Sequence, residues 1–466
     1  MTPQEIAAAA LAAAAGRDTE AVAIVDEVAT AHLRWAGNAF TTGGIAGDRR
    51  LTVVALGAGR TPGVATASGA LDVATVHRLV TAADRARRPG STAEPDPPAP
   101  VTAAGGDGAT ADGGDGWHRP PAGSAAAGLP AFAARLAASF RSASAASHLL
   151  YGYAEQRSRT TYLASSAGLR RRHDESRAVL DHTVRSAGDP ATWTGTCAHE
   201  LSELDPGAAY AAARQRFGWW RRRLELPTAE YEVLLPPSCV ADLMLRLYRA
   251  ADARAALAGR TAFAAPGGTR IGERLSPVPL TLHSDPHQRG LECAPFAVAR
   301  GTGTGSVYDN GLPLARTNWI TDGVLSALVS SRQIAARTGA AATPEIGNLV
   351  LAGATGTGST LDGMVAGTAR GLLLTSLWYL RELDPRSLLL TGLTRDGVYL
   401  VEDGEIQGAV NPFRFNASPL GVLARVREVG RPEPTLPREH DEHTIRMAMP
   451  PLRVAGLALS AVRDAA

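Results

Sequence analysis

Residues 88–128 set the first constraint on the fold. They hold Pro95-Asp-Pro-Pro-Ala-Pro100, Gly105-Gly-Asp-Gly108 and Gly113-Gly-Asp-Gly116, with almost no large apolar side chain. Such a stretch buries too little surface to offset its ordering entropy, so it reads as a flexible, solvated insert. Trp117 is its one bulky residue and is expected to dock back onto the domain. The packed mass must come from either side. At 466 residues the chain exceeds what one hydrophobic core usually serves, about 250–300 residues. An α+β protein of two domains is expected. The N-terminal domain, 1–225, is α/β with an antiparallel sheet and helices. The C-terminal domain, 226–466, is β-rich and barrel- or sandwich-like.

Local signals fill in this outline. Thr2, Pro3 and Glu5 form a capping-box start for a helix over 3–15. Segments 21–28, 30–35, 51–56 and 63–68 look like short strands. Gly43-Gly44 and Gly47-Asp48 read as turns between them, which suggests an antiparallel meander. Val73, Val76, Leu79, Val80 and Ala83 recur at helical spacing within 71–87. A second helix is expected over 129–142, strands over 148–155, 160–165 and 169–173, and a helix over 206–223. After a strand at 231–235 comes a helix around 240–257. Asp403-Gly404 between two apolar runs is a strong hairpin signal, and 388–393 is expected to pair beside that hairpin.

Composition excludes several chemistries. The chain has no lysine, so all 47 basic residues are arginine. A P-loop lysine, a Schiff-base lysine and a kinase lysine are thereby ruled out. The Gly-rich runs Gly301–Gly305 and Gly353–Gly358 are therefore not Walker loops, and neither fits G-x-G-x-x-G. A formal charge of +2 argues against a dedicated nucleic-acid binder. Cys197, Cys239 and Cys293 are scattered and odd in number, which fits a reducing cytoplasm and no disulfide framework. The first residues carry no positive charge, unlike a signal peptide, and no apolar run is long enough to span a membrane.

The candidate sites are weak by residue chemistry alone. His199-Glu200 opens a zincin-like motif, but Glu203 and Leu204 stand where a second histidine would be needed. His283, Asp285 and His287 share one face if extended and offer two imidazoles and a carboxylate, although Pro286 favours a loop. His440-Asp-Glu-His443 follows three prolines and reads as a surface loop. Arg170–Arg172 and Arg221–Arg223, the latter beside Trp219-Trp220, resemble nucleic-acid grips but fit a solvated face or an interface better. No catalytic residue, cofactor site or metal site emerges. His283, Asp285 and His287 remain the alternative metal set for an autonomous hydrolase.

The C-terminal half nevertheless resembles a known family. Asp309-Asn-Gly-Leu-Pro-Leu314, Thr317–Val324, Leu377–Pro385, Leu390–Gly404, Asn411–Pro419 and Met449–Val454 together match the pattern of the TldD/PmbA family, also called modulators of DNA gyrase. Leu150–Glu155 and Thr161–Ser166 fit it too. The resemblance implies an α/β domain followed by a β-rich domain. It also implies a two-part metallopeptidase acting on small or unfolded peptides, including peptide maturation. TldD-type members hold zinc with a His-Glu-x-x-x-His helix and a downstream cysteine. The corresponding helix here, Val240–Asp252, has neither histidine nor glutamate, and 377–385 has no cysteine. The chain thus resembles the TldE (PmbA)-type subunit, with zinc expected in a TldD-type partner. The competing reading is a binding or regulatory protein acting on gyrase or nucleic acid.

Overall fold

The computed structural model describes the chain apart from residues 18, 58–59, 90–99, 103–115, 123–124, 187–190, 302–304, 355, 357, 440–444 and 463–466. Most of the expected Pro/Gly-rich insert therefore lies outside the described residues, as does His440–His443. Trp117 does dock: it is buried and meets Tyr162 edge-on at 5.6 Å between ring centroids.

Helix α1 (Pro3–Ala15) starts as its sequence signals, with Thr2 and Glu5 closing a reciprocal capping box. Strands β1 (Glu20–Ala36) and β2 (Ala39–Leu56) form one long hairpin. Its two-residue turn, Gly37-Asn38, has φ of +60° and +65°, the left-handed pair that such a turn requires. Gly43-Gly44 and Gly47-Asp48 are not turns, contrary to expectation, but lie inside β2. Each pairs in register with β1, Gly43 opposite Leu33 and Asp48 opposite Val28, so the long hairpin runs straight through both dipeptides. The sheet continues through β3 (Gly63–Ser68), β4 (His148–Ser165), β5 (Arg170–Ser186) and β6 (Thr192–Ala198), in the order β3-β2-β1-β4-β5-β6. The expected short strands of 148–165 fuse into β4 because β1 and β5 pair along almost its whole length.

One face of this sheet carries the helices. α1 and α2 (Val73–Ala86) cover Ala21, Val25, Leu51 and Val53. α3 (Leu129–Ala145) and α4 (Pro206–Trp219) cover Trp35, Ala154 and Leu180. Side chains alternate across a strand, so the other face presents Val22, Ile24 and Leu163. These pack on Phe296, Ala299 and Val307 of the C-terminal half.

The remaining sheets lie beyond residue 222. In chain order their elements are β7 (Arg223–Leu224), β8 (Ala229–Leu235), α5 (Pro237–Ala250), α6 (Ala253–Leu257), β9 (Ala264–Ala265), β10 (Gly268–Thr269) and β11 (Leu280–Ser284). Then come β12 (Thr317–Thr321), β13 (Val324–Leu325), α7 (Arg332–Thr338), β14 (Asn348–Gly353), α8 (Leu361–Ala366), β15 (Arg370–Leu374) and β16 (Leu377–Asp384). The last are β17 (Leu389–Thr394), β18 (Val398–Glu402), β19 (Glu405–Val410), β20 (Phe413–Ala417), α9 (Pro419–Leu423), β21 (Val426–Val429), β22 (Glu433–Thr435), β23 (Arg446–Met449) and β24 (Leu452–Ala461). One sheet has the order β13-β12-β11-β14-β23-β22, and a larger one β16-β17-β20-β24-β8-β15-β18-β19-β7. Both run from one edge strand to another, so each is open, and they share a single core with α5 between them.

The β18–β19 hairpin turns at Asp403-Gly404 as its sequence signals, with φ of +47° and +81°. Strand β17 does not join it. It pairs with β16 and β20, while β15 takes the place beside β18. No helix among the described residues is long and apolar enough to cross a membrane.

Candidate functional site

Helix α5 is the centre of the C-terminal half. Val240, Leu243, Met244, Leu245, Leu247 and Tyr248 are all buried, so it is apolar around most of its circumference, as a helix enclosed by protein must be. One charged residue breaks that pattern. Asp242 is 1% exposed, and its Oδ1 accepts the backbone N–H of Glu439 at 3.0 Å. Its Oδ2 has no hydrogen-bond partner among the described residues. Burial, joined by the charge of Glu439, pushes its carboxyl up to about 8, against the opposing pull of that N–H and of Arg438. Asp242 is therefore mostly protonated at neutral pH. One turn earlier, the buried Cys239 thiol donates to the Leu374 carbonyl at 3.3 Å, and burial raises its pKa.

The strap that holds Asp242 crosses the junction of the two halves. The Arg438 guanidinium pairs with buried Asp396 and donates to Ser376 Oγ at 2.5 Å. It lies between two indoles, 5.1 Å from the Trp193 ring and 4.9 Å from the Trp378 ring. Glu439 Oε2 accepts the Leu380 N–H of β16 at 2.8 Å. Burial brings Arg438 down to about 10, helped by the charge of Arg395 and opposed by Asp181, Asp242 and Glu439. Asp181 of β5 is raised by burial despite a hydrogen bond from Trp193 and the Arg438 charge. Residues 438–439 thus tie together β5, β6, α5, β16 and the turn after β17.

The sites suggested by sequence fall elsewhere. His283 is buried on β11, where burial and then the Arg316 charge lower its pKa against Gln288 and Asp285. Asp285 Oδ1 accepts the His287 backbone N–H at 2.9 Å, forming a local turn, and the His287 side chain is exposed. His199 is exposed and its carbonyl accepts from Gln156, while Glu200 and Glu203 cap a short 3-10 turn. Among the described residues no group of three His, Cys, Asp or Glu side chains is placed to hold a metal ion.

Of the arginine groups, Arg221, Arg222 and Arg223 are exposed, as a solvated face requires, and the other lies against aromatic rings. Arg170 covers Trp117, and Arg172 covers Tyr162 while pairing with Asp174 at 2.6 Å. Arg223 lies over Trp220, and both Trp219 and Trp220 pack on Tyr399 of β18. Sequence reading missed Asp242, Asp396, Trp193, Trp378 and Arg438. A lone acid in the apolar run Cys239–Leu245 was the one local signal.

Residues 228–461, half of the chain, match the family model of the PmbA/TldA metallopeptidase C-terminal domain. The chain belongs to the TldD/PmbA family. A comparison with curated proteins gave no match. Three solved structures share the fold. TldE from Thermococcus kodakarensis is 15% identical, with 95% of this chain and 97% of that chain covered and a TM-score of 0.73. A candidate modulator of DNA gyrase from Bacteroides thetaiotaomicron is 14% identical, with coverages of 98% and 99% and a TM-score of 0.73. Another from Thermotoga maritima is 15% identical, with coverages of 98% and 100% and a TM-score of 0.75.

The metallopeptidase family raises the question of a metal at α5. The residues there do not fit one. A dication would face the fixed cation of Arg438, and Asp242 would first have to lose a proton that burial holds.

Proposed function

We propose that this chain is the noncatalytic, TldE-type subunit of a heteromeric cytoplasmic metallopeptidase. In this reading a TldD-type partner supplies the zinc and the general base, and small or unfolded peptides are cut, as in proteolysis or peptide maturation. Residues 1–225 and 226–466 act as its two domains. The observation that carries the reading is the Arg438 strap: a guanidinium caged by Trp193 and Trp378 faces the helix on which TldD-type relatives are expected to bear their ligands. A chain built this way contributes walls and binding surface, not the hydrolytic centre.

The test mixes an unfolded peptide with this chain, with a TldD-type partner, and with both, each with and without a chelator. Hydrolysis in the mixture well above the partner alone, and lost on chelation, is the expected result. Chelator-sensitive hydrolysis by this chain alone overturns the reading.

A further inference from the structure

The sheet face that looks toward the C-terminal half carries an unbalanced set of charges. Arg157 and Arg159 lie on β4, two residues apart and so on the same face. Arg157 is opposite Thr30 on β1 and Arg177 on β5, and Arg159 is opposite Val28 and Glu175. The acids beside them on this face already have arginines. Asp26 takes both the Nε and Nη2 of Arg300 at 2.6 Å. Glu155 is 3.8 Å from Arg177, and Glu175 is 3.7 Å from Arg446.

Arg157 and Arg159 are left over. Among the described residues neither makes a hydrogen bond or an ion pair, and the Nε of each is shielded from solvent without a partner. Part-buried guanidiniums without a direct ion-pair partner are costly, and the Arg157–Arg177 like-charge pair across two strands adds to that cost. For Arg159, burial and then the Arg300 charge lower the pKa against the more weakly acting Glu175 and Asp26, so these two acids do not offset its burial. Beside them His173, opposite Thr161, is part-buried and its Nε2 is also unpartnered.

We propose that Arg157 and Arg159 form an anion-recognition site for the carboxylates of an acidic peptide lying extended along β4. A guanidinium fork matches a carboxylate with two parallel hydrogen bonds. Alternate residues of an extended chain are about 6.8 Å apart. The two arginines repeat at that interval, as do the carboxylates of a peptide with acids at every second position. Base stacking finds little here, because the rings of this face are engaged: Tyr153 by Glu155 and Arg34, and Trp193 by Arg438. The choice of a peptide as ligand rests on the subunit reading above, whereas the charge imbalance does not.

The test is fluorescence anisotropy on the full chain with a labelled alternating Glu-Ala peptide. A Gln-Ala peptide, inorganic phosphate and a single-stranded oligonucleotide serve as comparisons. The acidic peptide is expected to bind and the Gln-Ala peptide not to. The double variant R157Q/R159Q should bind about tenfold more weakly or worse, with a shallower salt dependence. R370Q, on the exposed β15 residue that pairs with Glu402, should change nothing. Removing unpartnered charges should leave Tm unchanged or raised. If the double variant fails to fold, R159K keeps the charge but loses the fork, and should still bind several-fold more weakly. No binding by the unaltered chain overturns the proposal. So does unchanged binding by the variants, or competition by phosphate or the oligonucleotide as strong as that of the peptide. The assay reads binding by this chain without a partner, so its failure is separate from that of the mixing experiment.

Discussion

Replacing Asp242 with asparagine should flatten part of the pH dependence of stability. Burial puts the folded-state pKa near 8, against 3.8 for the same carboxyl in water, as in an unfolded chain. Between these values the folded protein holds a proton that the unfolded chain has released. Stability therefore falls as pH rises through this window, by about 1.4 kcal/mol per pH unit. From pH 5 to pH 8 the loss is about 3 to 4 kcal/mol. With an unfolding entropy of roughly 2.1 cal/mol/K per residue, a chain of 466 residues loses about 1 °C of Tm per kcal/mol. The carboxamide of the D242N variant keeps an oxygen acceptor for the Glu439 N–H and has no proton to lose. The Tm of D242N relative to the unaltered protein should therefore climb by about 3 to 4 °C between pH 5 and pH 8. Arg438, Glu439, Asp181, Asp396 and Cys239 remain in both proteins, so their contributions largely cancel. Calorimetric Tm profiles that stay parallel across this range would refute the reasoning.

Two further substitutions test the packing. R438A removes the nearer partner of Asp396, whose side chain is 4% exposed, and leaves it only Arg395 at 3.8 Å; it should cost about 2–4 kcal/mol in denaturant unfolding, while R438M/D396N should recover most of the loss. In G152A the new Cβ would lie 2.2 Å from the Asp181 carbonyl oxygen and 2.5 Å from the Trp35 ring. It should destabilise by about 1–3 kcal/mol, whereas G218A, in open space at the end of α4, should be neutral or slightly stabilising when both are compared by denaturant unfolding.

Features set within a few residues are legible from sequence. The Thr2–Glu5 cap and the Asp403-Gly404 turn depend only on neighbours, and both are as expected. Gly43 misleads because β1 pairs with β2 straight through it, a long-range register that no local pattern displays. The partner of β17 misleads for a similar reason: chain proximity favours β18, while the sheet places β15 there. The charged centre at α5 is hidden more deeply. Asp242, Asp396 and Arg438 come from three separate segments, and Trp193 and Trp378 from two more. Resemblance points to the helix, but only packing shows what faces it.

The placement of β24 governs the order of assembly. It lies in the interior of the large sheet, hydrogen-bonded to β20 on one side and β8 on the other, so residues near 455 hold residues near 232. During synthesis β8 and α5 emerge long before the strand that completes their sheet. Until then the apolar surface of α5 and one edge of β8 stay uncovered, which is where a holdase chaperone would bind. Closing so long a loop late makes folding of this half slow. The N-terminal sheet, complete by residue 198, is free to form first and offer the later half a surface to build on.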